Sequence, residues 1–208
     1  MSPRTVAGGR TFTDIARRAQ IVQCAADAIA ETGYANASMA EIAARAGIAK
    51  SVISYHFADK NELLQELVRT AVTRYIELIG PRLDAEDDVR RKIRAYITAS
   101  ADYMVVHRSL HLAVVEIAFH ATTPDGRPRL DSMPLNAQEN LEEILRRGQE
   151  FGELGDFDVR VMADLLRTAA HQTMTLALRA DPALDLTSYA SALAAIFDQA
   201  ISPQPSTP

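Results

Sequence analysis

The chain has 208 residues, 48% of them hydrophobic and 24% charged, which makes it globular and long enough for one large or two small domains. A net charge of −5 counts, on its face, against a nucleic-acid binder, and the single cysteine, Cys24, excludes both an intrachain disulfide and a cysteine zinc site. No apolar run approaches the roughly eighteen residues of a membrane helix and no apolar export segment opens the chain, so the expectation is a soluble, cytoplasmic protein.

Charge is unevenly spread. Residues 1–60 carry +2 and the remainder −7, a weakly basic head on an acidic body. Glycine and proline number only nine each, and no segment alternates with period two, so the predicted class is all-α, with about nine helices. Residues 1–12 read as a flexible basic arm: MSPRTVAGGR has no periodicity, two glycines, and Arg4 and Arg10. Helix 1 is expected over about 14–32, with Ile15, Ala19, Val22, Ala26 and Ile29 as its apolar stripe and Gly33 as its stop. Cys24 falls about 180° from that stripe, where it reads as an incidental small residue.

Residues 38–62 organise the rest. Ser38 and Glu41 form the S-x-x-E pattern that caps a helix start, and the short helix that follows runs out at Gly47, a residue suited to positive φ. A second short helix follows over 50–57, offering Val52, Ile53 and Phe57 for packing, while small Ala43 and Gly47 let the two helices cross closely. Asp59 with Glu62 opens another helix. The pattern is a helix-turn-helix.

The spaced pieces I-A-x-x-A-G-I at 42–48, Y-H-F at 55–57 and K-x-E-L-L at 60–64 resemble the DNA-binding signature of the tetracycline-repressor (TetR) family of bacterial transcription regulators. The resemblance covers about residues 13–65. It departs at Ala49, where many members have Ser or Thr, and at Ser54 and Tyr55, where the tyrosine stands one place later than usual. It implies a DNA-binding domain over 13–58 and a ligand-binding and dimerisation domain over 59–201; the tail over 202–208, SPQPSTP, reads as disordered from its composition. It further implies a homodimer through helices 8 and 9, an effector cavity among helices 4 to 8, and a double-stranded operator as partner. Lys50, Ser51 and Tyr55 are then expected to face DNA, with Val52, Ser54 and His56 beside them and Ser38 and Lys60 on phosphates.

Beyond the motif, helix 4 should start after Asp59, carry apolar positions from 63 to 79, and end near Gly80-Pro81, followed by a polar loop over 82–88. Helix 5, about 87–106, sets Ile93, Tyr96, Ile97, Ser100, Tyr103, Met104 and His107 on one face. Helix 6, about 109–121, is apolar nearly all round. Thr122 to Pro134 reads as a loop, and helices 7, 8 and 9 follow over about 135–151, 157–180 and 187–201, with alanines such as Ala170 and Ala194 proposed for the dimer contact.

Tyr96, Ser100, Tyr103, Met104 and His107, with His171 of helix 8, are the candidate effector contacts, because pockets are mostly apolar with a few placed polar groups. A bundle whose tyrosines merely reach water at their tips would give the same pattern. His107 and His111 have metal-ligand spacing, but Glu116 and His120 point away from them, so no metal site is expected and no cofactor either. No H-E-x-x-H, G-x-S-x-G or phosphate-binding glycine loop is present, and no catalytic residue is assigned. Two further readings stay open: a DNA-binding dimer whose body docks protein rather than a small molecule, and a helical-bundle enzyme.

Overall fold

A computed structural model describes residues 12–120 and 136–203, with the backbone alone for 136–140. The expected arm up to residue 11, the loop at 122–134 and the tail from residue 204 lie outside the described residues. Within them the chain is helical throughout, without a strand: α1 Phe12–Thr32, α2 Met39–Arg45, α3 Lys50–His56, α4 Lys60–Asp84, α5 Val89–Val106, α6 Arg108–His120 and α7 Asn136–Glu150. Helix α8 is a continuous rod made of Val159–Thr168, a π turn at Ala169–Thr173, and Met174–Ala180; α9 is Leu186–Ile201.

Two compact units divide the described residues. One takes 12–73 and 107–120, the other 74–106 and 136–203, so that α4 contributes residues to both. The first unit packs α1 against α6, α2 and α3. Its core contains Ile21, Ile29, Ile42, Ile53, Phe57 and Leu67, all at 0% exposure. Burying side chains of this size is worth about 1.5–3 kcal/mol each, so Ile53 and Phe57 alone hold α3 down by several kcal/mol.

The second unit builds its own core from Ile93, Ile97, Met104, Leu145, Leu166 and Met174, with α5 packed on α9 and on the π turn of α8. Gly148 is required there: a Cβ would stand 2.6 Å from Leu154 Cδ1. Asp158 and Asp185 cap α8 and α9 by accepting backbone N–H bonds at 2.9 Å and 3.1 Å.

Several expectations change in register. In α1 the buried face is Ile21, Val22, Ala25, Ala26, Ala28 and Ile29, while Ile15 and Ala19 are exposed. Cys24 therefore does not lie opposite the core but is half-buried against it, and burial raises its thiol pKa. Val22, Ala26 and Ile29 of the stripe are buried, and burial begins only at Ile21, so the first turns of α1 are left uncovered.

Helix α4 passes through Gly80-Pro81 and ends at Asp84. Proline's fixed φ is helical, so near a helix end it costs one hydrogen bond and little else, and the Ala85 N–H still reaches the Pro81 carbonyl at 3.1 Å. Phe151, at helical spacing from Leu141, Ile144, Leu145 and Gly148, is 71% exposed just past the helix end. Ala170 and Ala194 are at 0% and 2%, inside the second unit's own core, and are withdrawn as surface contacts.

Candidate functional site

The helix-turn-helix forms by local hydrogen bonding. Ser38 Oγ accepts the Glu41 N–H at 3.1 Å, but the Ser38 N–H goes to the Asn36 carbonyl, so only one arm of the capping pattern is made. Gly47 stands at φ 65°. Its N–H bonds to the Ala44 carbonyl at 3.1 Å while the Ile48 N–H reaches back to Ala43 at 3.0 Å, the paired bonds of a left-handed helix stop. Ala49 starts α3 without a side-chain cap.

On α3, Ile53 is buried, and Phe57 just past its end is buried too, which turns Lys50, Ser51, Ser54 and Tyr55 outward. Tyr55 is 78% exposed and packs edge-on against the His56 ring; Val52 is at the margin with 36%. His56 is half-buried, and its carbonyl is taken by Arg18. Arg18 lies 4.0 Å over the Phe57 ring and pairs with Glu62 at 3.3 Å, and Glu62 in turn accepts the Ala58 N–H at 2.8 Å. That clamp fixes the turn between α3 and α4, and no periodicity in the sequence announced it.

Ser38 is exposed. Lys60 is half-buried, with Nζ donating to the Tyr34 carbonyl at 2.8 Å and sitting 4.5 Å from the Tyr34 ring centroid, and burial lowers its pKa.

In the second unit a polar cluster is set into apolar surroundings. Tyr75 Oη lies 3.1 Å from Ser100 Oγ and 3.2 Å from His171 Nε2, and Tyr96 Oη lies 3.1 Å from the same nitrogen. Tyr103 stacks edge-on upon Tyr75, with centroids 5.2 Å apart. His171 is carried by the π turn, a geometry that inserts an extra residue and recurs at functional sites.

Burial pushes Tyr96 and Tyr103 up to about 12 and Tyr75 well above its ordinary value; it presses His171 down to about 4, helped by the Arg167 cation. All four rings are therefore uncharged at neutral pH. Of the candidates read from the sequence, Tyr96, Ser100 and His171 are joined directly, Tyr103 flanks them, and Met104 is fully buried in the unit's apolar core. His107 belongs to the first unit. Tyr75 was missed because it occupies an apolar position of α4, where only its hydroxyl set it apart. A surface cleft of about 450 Å³ in the same unit is lined instead by Asp88, Arg90, Arg91, Arg94 and Asp198, with Arg90 and Asp198 paired at 2.9 Å.

Among the described residues, no group of three or more His, Cys, Asp or Glu could hold a metal ion, and no helix is long and apolar enough to cross a membrane.

Residues 21–67 match the family model for bacterial regulatory proteins of the TetR family. The fatty acid metabolism regulator protein of Bacillus subtilis (strain 168) is 24% identical over 180 residues, 84% of this chain and 90% of that protein. The regulator BetI of Ectopseudomonas mendocina (strain ymp) is 36% identical over 88 residues, which span 41% of this chain and only 45% of BetI. Among solved structures, the ketosteroid regulator KstR2 of Mycobacterium tuberculosis superposes with a TM-score of 0.77 at 20% identity, covering 90% of this chain and 96% of that one. FadR of Bacillus subtilis in complex with stearoyl-CoA gives 0.74 at 22%, covering 86% and 96%. With the Gly47 turn, the buried Ile53 and Phe57 and the outward Tyr55 in place, residues 21–67 form the helix-turn-helix that the TetR family model describes, and the described residues share the fold of the solved regulators.

Proposed function

We propose that the chain is a repressor that binds a near-palindromic operator as a homodimer and is released by a small apolar effector, acting in the cytoplasm and without catalysis. The observation that carries this is the outer face of α3, where Lys50, Ser51, Ser54 and Tyr55 stand exposed opposite Ile53 and Phe57. A polar and aromatic helix face of this width fits the major groove, with Val52 and His56 at its margin. Ser38, by its exposed hydroxyl, and Lys60, by its ammonium, supply phosphate contacts. The functional boundary is placed at residues 58 and 59, ahead of α4.

Tyr75, Tyr96, Ser100, Tyr103, Met104 and His171 form the effector site. Relatives named for fatty-acid and ketosteroid regulation, one of them seen with stearoyl-CoA, favour an apolar effector. Helices α8 and α9 supply the dimer contact through Val161, Leu165, Leu176 and Ile196, large apolar side chains between 53% and 68% exposed.

The switch runs along α4, because Tyr75 lies two residues past the point where that helix leaves the first unit. An effector that prefers one setting of Tyr75 shifts the heads by its differential affinity, and a tenfold preference is worth about 1.4 kcal/mol.

Fluorescence anisotropy on DNA upstream of the chain's own gene tests the reading. Saturable binding is expected, lost in Tyr55→Ala and reversed by the effector. Binding that survives combined Lys50→Ala, Ser51→Ala and Tyr55→Ala would overturn the assignment of α3, and binding that no compound reverses would leave the body as a dimerisation and protein-docking module.

A further inference from the structure

The direction of each hydrogen bond in the tyrosine–histidine cluster follows from one fixed proton. Ser100 Oγ lies 2.7 Å from the Tyr96 carbonyl, a group that can only accept, so the serine proton is committed there. Toward Tyr75 Oη, at 3.1 Å, Ser100 Oγ can then only accept, and the Tyr75 proton is committed to it. Tyr75 Oη is left as an acceptor toward His171 Nε2, so that nitrogen carries the hydrogen and shares it between Tyr75 at 3.2 Å and Tyr96 at 3.1 Å. The Tyr96 hydroxyl accepts from the imidazole, so its own proton is spent on neither His171 nor Ser100.

We propose that Tyr96, positioned by His171 from the π turn, donates this proton to an uncharged carbonyl oxygen of the effector, so that the site takes apolar ketones, esters or thioesters in preference to free carboxylates. The inference rests on the effector reading above. A carbonyl accepts the tyrosine proton and needs no counter-charge. A carboxylate brings a charge into a site whose own members are neutral. The cations felt by the cluster are Arg167, already closed on Asp164 at 2.6 Å, and Arg74, felt at Tyr103. His171 is a positioning residue: without its N–H the Tyr96 oxygen loses the bond that holds it.

Two measurements test this on the full chain. Histidine-selective ¹⁵N NMR is expected to find His171 neutral with the proton on Nε2; a proton on Nδ1 alone would overturn the wiring. Isothermal titration then uses an alkyl and a steroid scaffold, each as a neutral carbonyl and as a carboxylate: methyl dodecanoate against dodecanoate, and progesterone against deoxycholate. On the scaffold that binds, the neutral member is expected to bind at least about tenfold more tightly than the acid, and Tyr96→Phe, which removes only a hydroxyl, to erase about five- to tenfold of its affinity. Tighter binding of the carboxylate, lost in Arg74→Met, would assign the site to anions and overturn the proposal, as would neutral binding unchanged in Tyr96→Phe. Failure of all four probes to bind would instead sink the effector reading beneath it.

Discussion

Lys60 is asked to do two things with one ammonium. It has three donors, and the Tyr34 carbonyl uses one, which leaves two for a phosphate. Lys60→Ala should weaken binding to every duplex alike and reduce the slope of log affinity against log salt by about 0.9, and an unchanged slope in an anisotropy titration would remove Lys60 from the interface. His171 makes a different residue-scale prediction. Its folded pKa of about 4 lies below the ordinary 6.5, so between those values the unfolded chain binds a proton that the folded chain refuses. Stability from this group is complete above pH 6.5 and is lost as pH falls toward 4, by up to about 3 kcal/mol. His171→Asn should flatten that part of the acid slope in urea unfolding; parallel slopes for variant and parent would show that the imidazole is not buried in the folded protein.

At the scale of elements, the two short helices survive because their ends are fastened. Neither seven-residue helix would persist alone in water. Gly47 allows the stop after α2, and Arg18 clamps the end of α3 through the His56 carbonyl, the Phe57 ring and Glu62. Gly47→Ala meets no neighbouring atom but must hold an L side chain at φ 65°, so it should cost about 1–2 kcal/mol, read as a lower urea midpoint. Arg18→Met keeps the stem over Phe57 and removes the charge-assisted bonds. A loss of about 1–3 kcal/mol is expected, with weaker operator binding as α3 loosens; a variant as stable as the parent would mean that the clamp is ornamental.

At the scale of the molecule, an operator read by two copies of α3 requires their centres about 34 Å apart, or a multiple of it, and hence a dimer. The proposed interface uses the apolar side chains left exposed on α8 and α9. Leu165→Asp with Ile196→Asp should give folded monomers in analytical ultracentrifugation that no longer bind the operator. A dimer that persists would move the interface off these helices. Ala170→Asp is the control of opposite kind: its side chain is fully enclosed, so the charge should unfold the second unit rather than split the dimer.

The helix-turn-helix was legible in the sequence because its determinants act over a few residues. A cap three places from its partner, a glycine at a positive-φ stop, and an apolar residue opposite an exposed tyrosine are all fixed by the geometry of one helical turn. The face of helix 5 carrying Tyr96 and Ser100 was legible for the same reason. What only tertiary structure decided is which residues meet across helices. Tyr75 and His171 are 96 positions apart and are brought together by the packing of α4, α5 and the π turn of α8. The same packing buried Ala170 and Ala194 and exposed Leu165 and Ile196. Helical periodicity gives a face its composition, but the rotation of each long helix is set by the neighbours it packs against, and a one-residue π insertion or a few degrees of drift per turn changes the side chains that arrive.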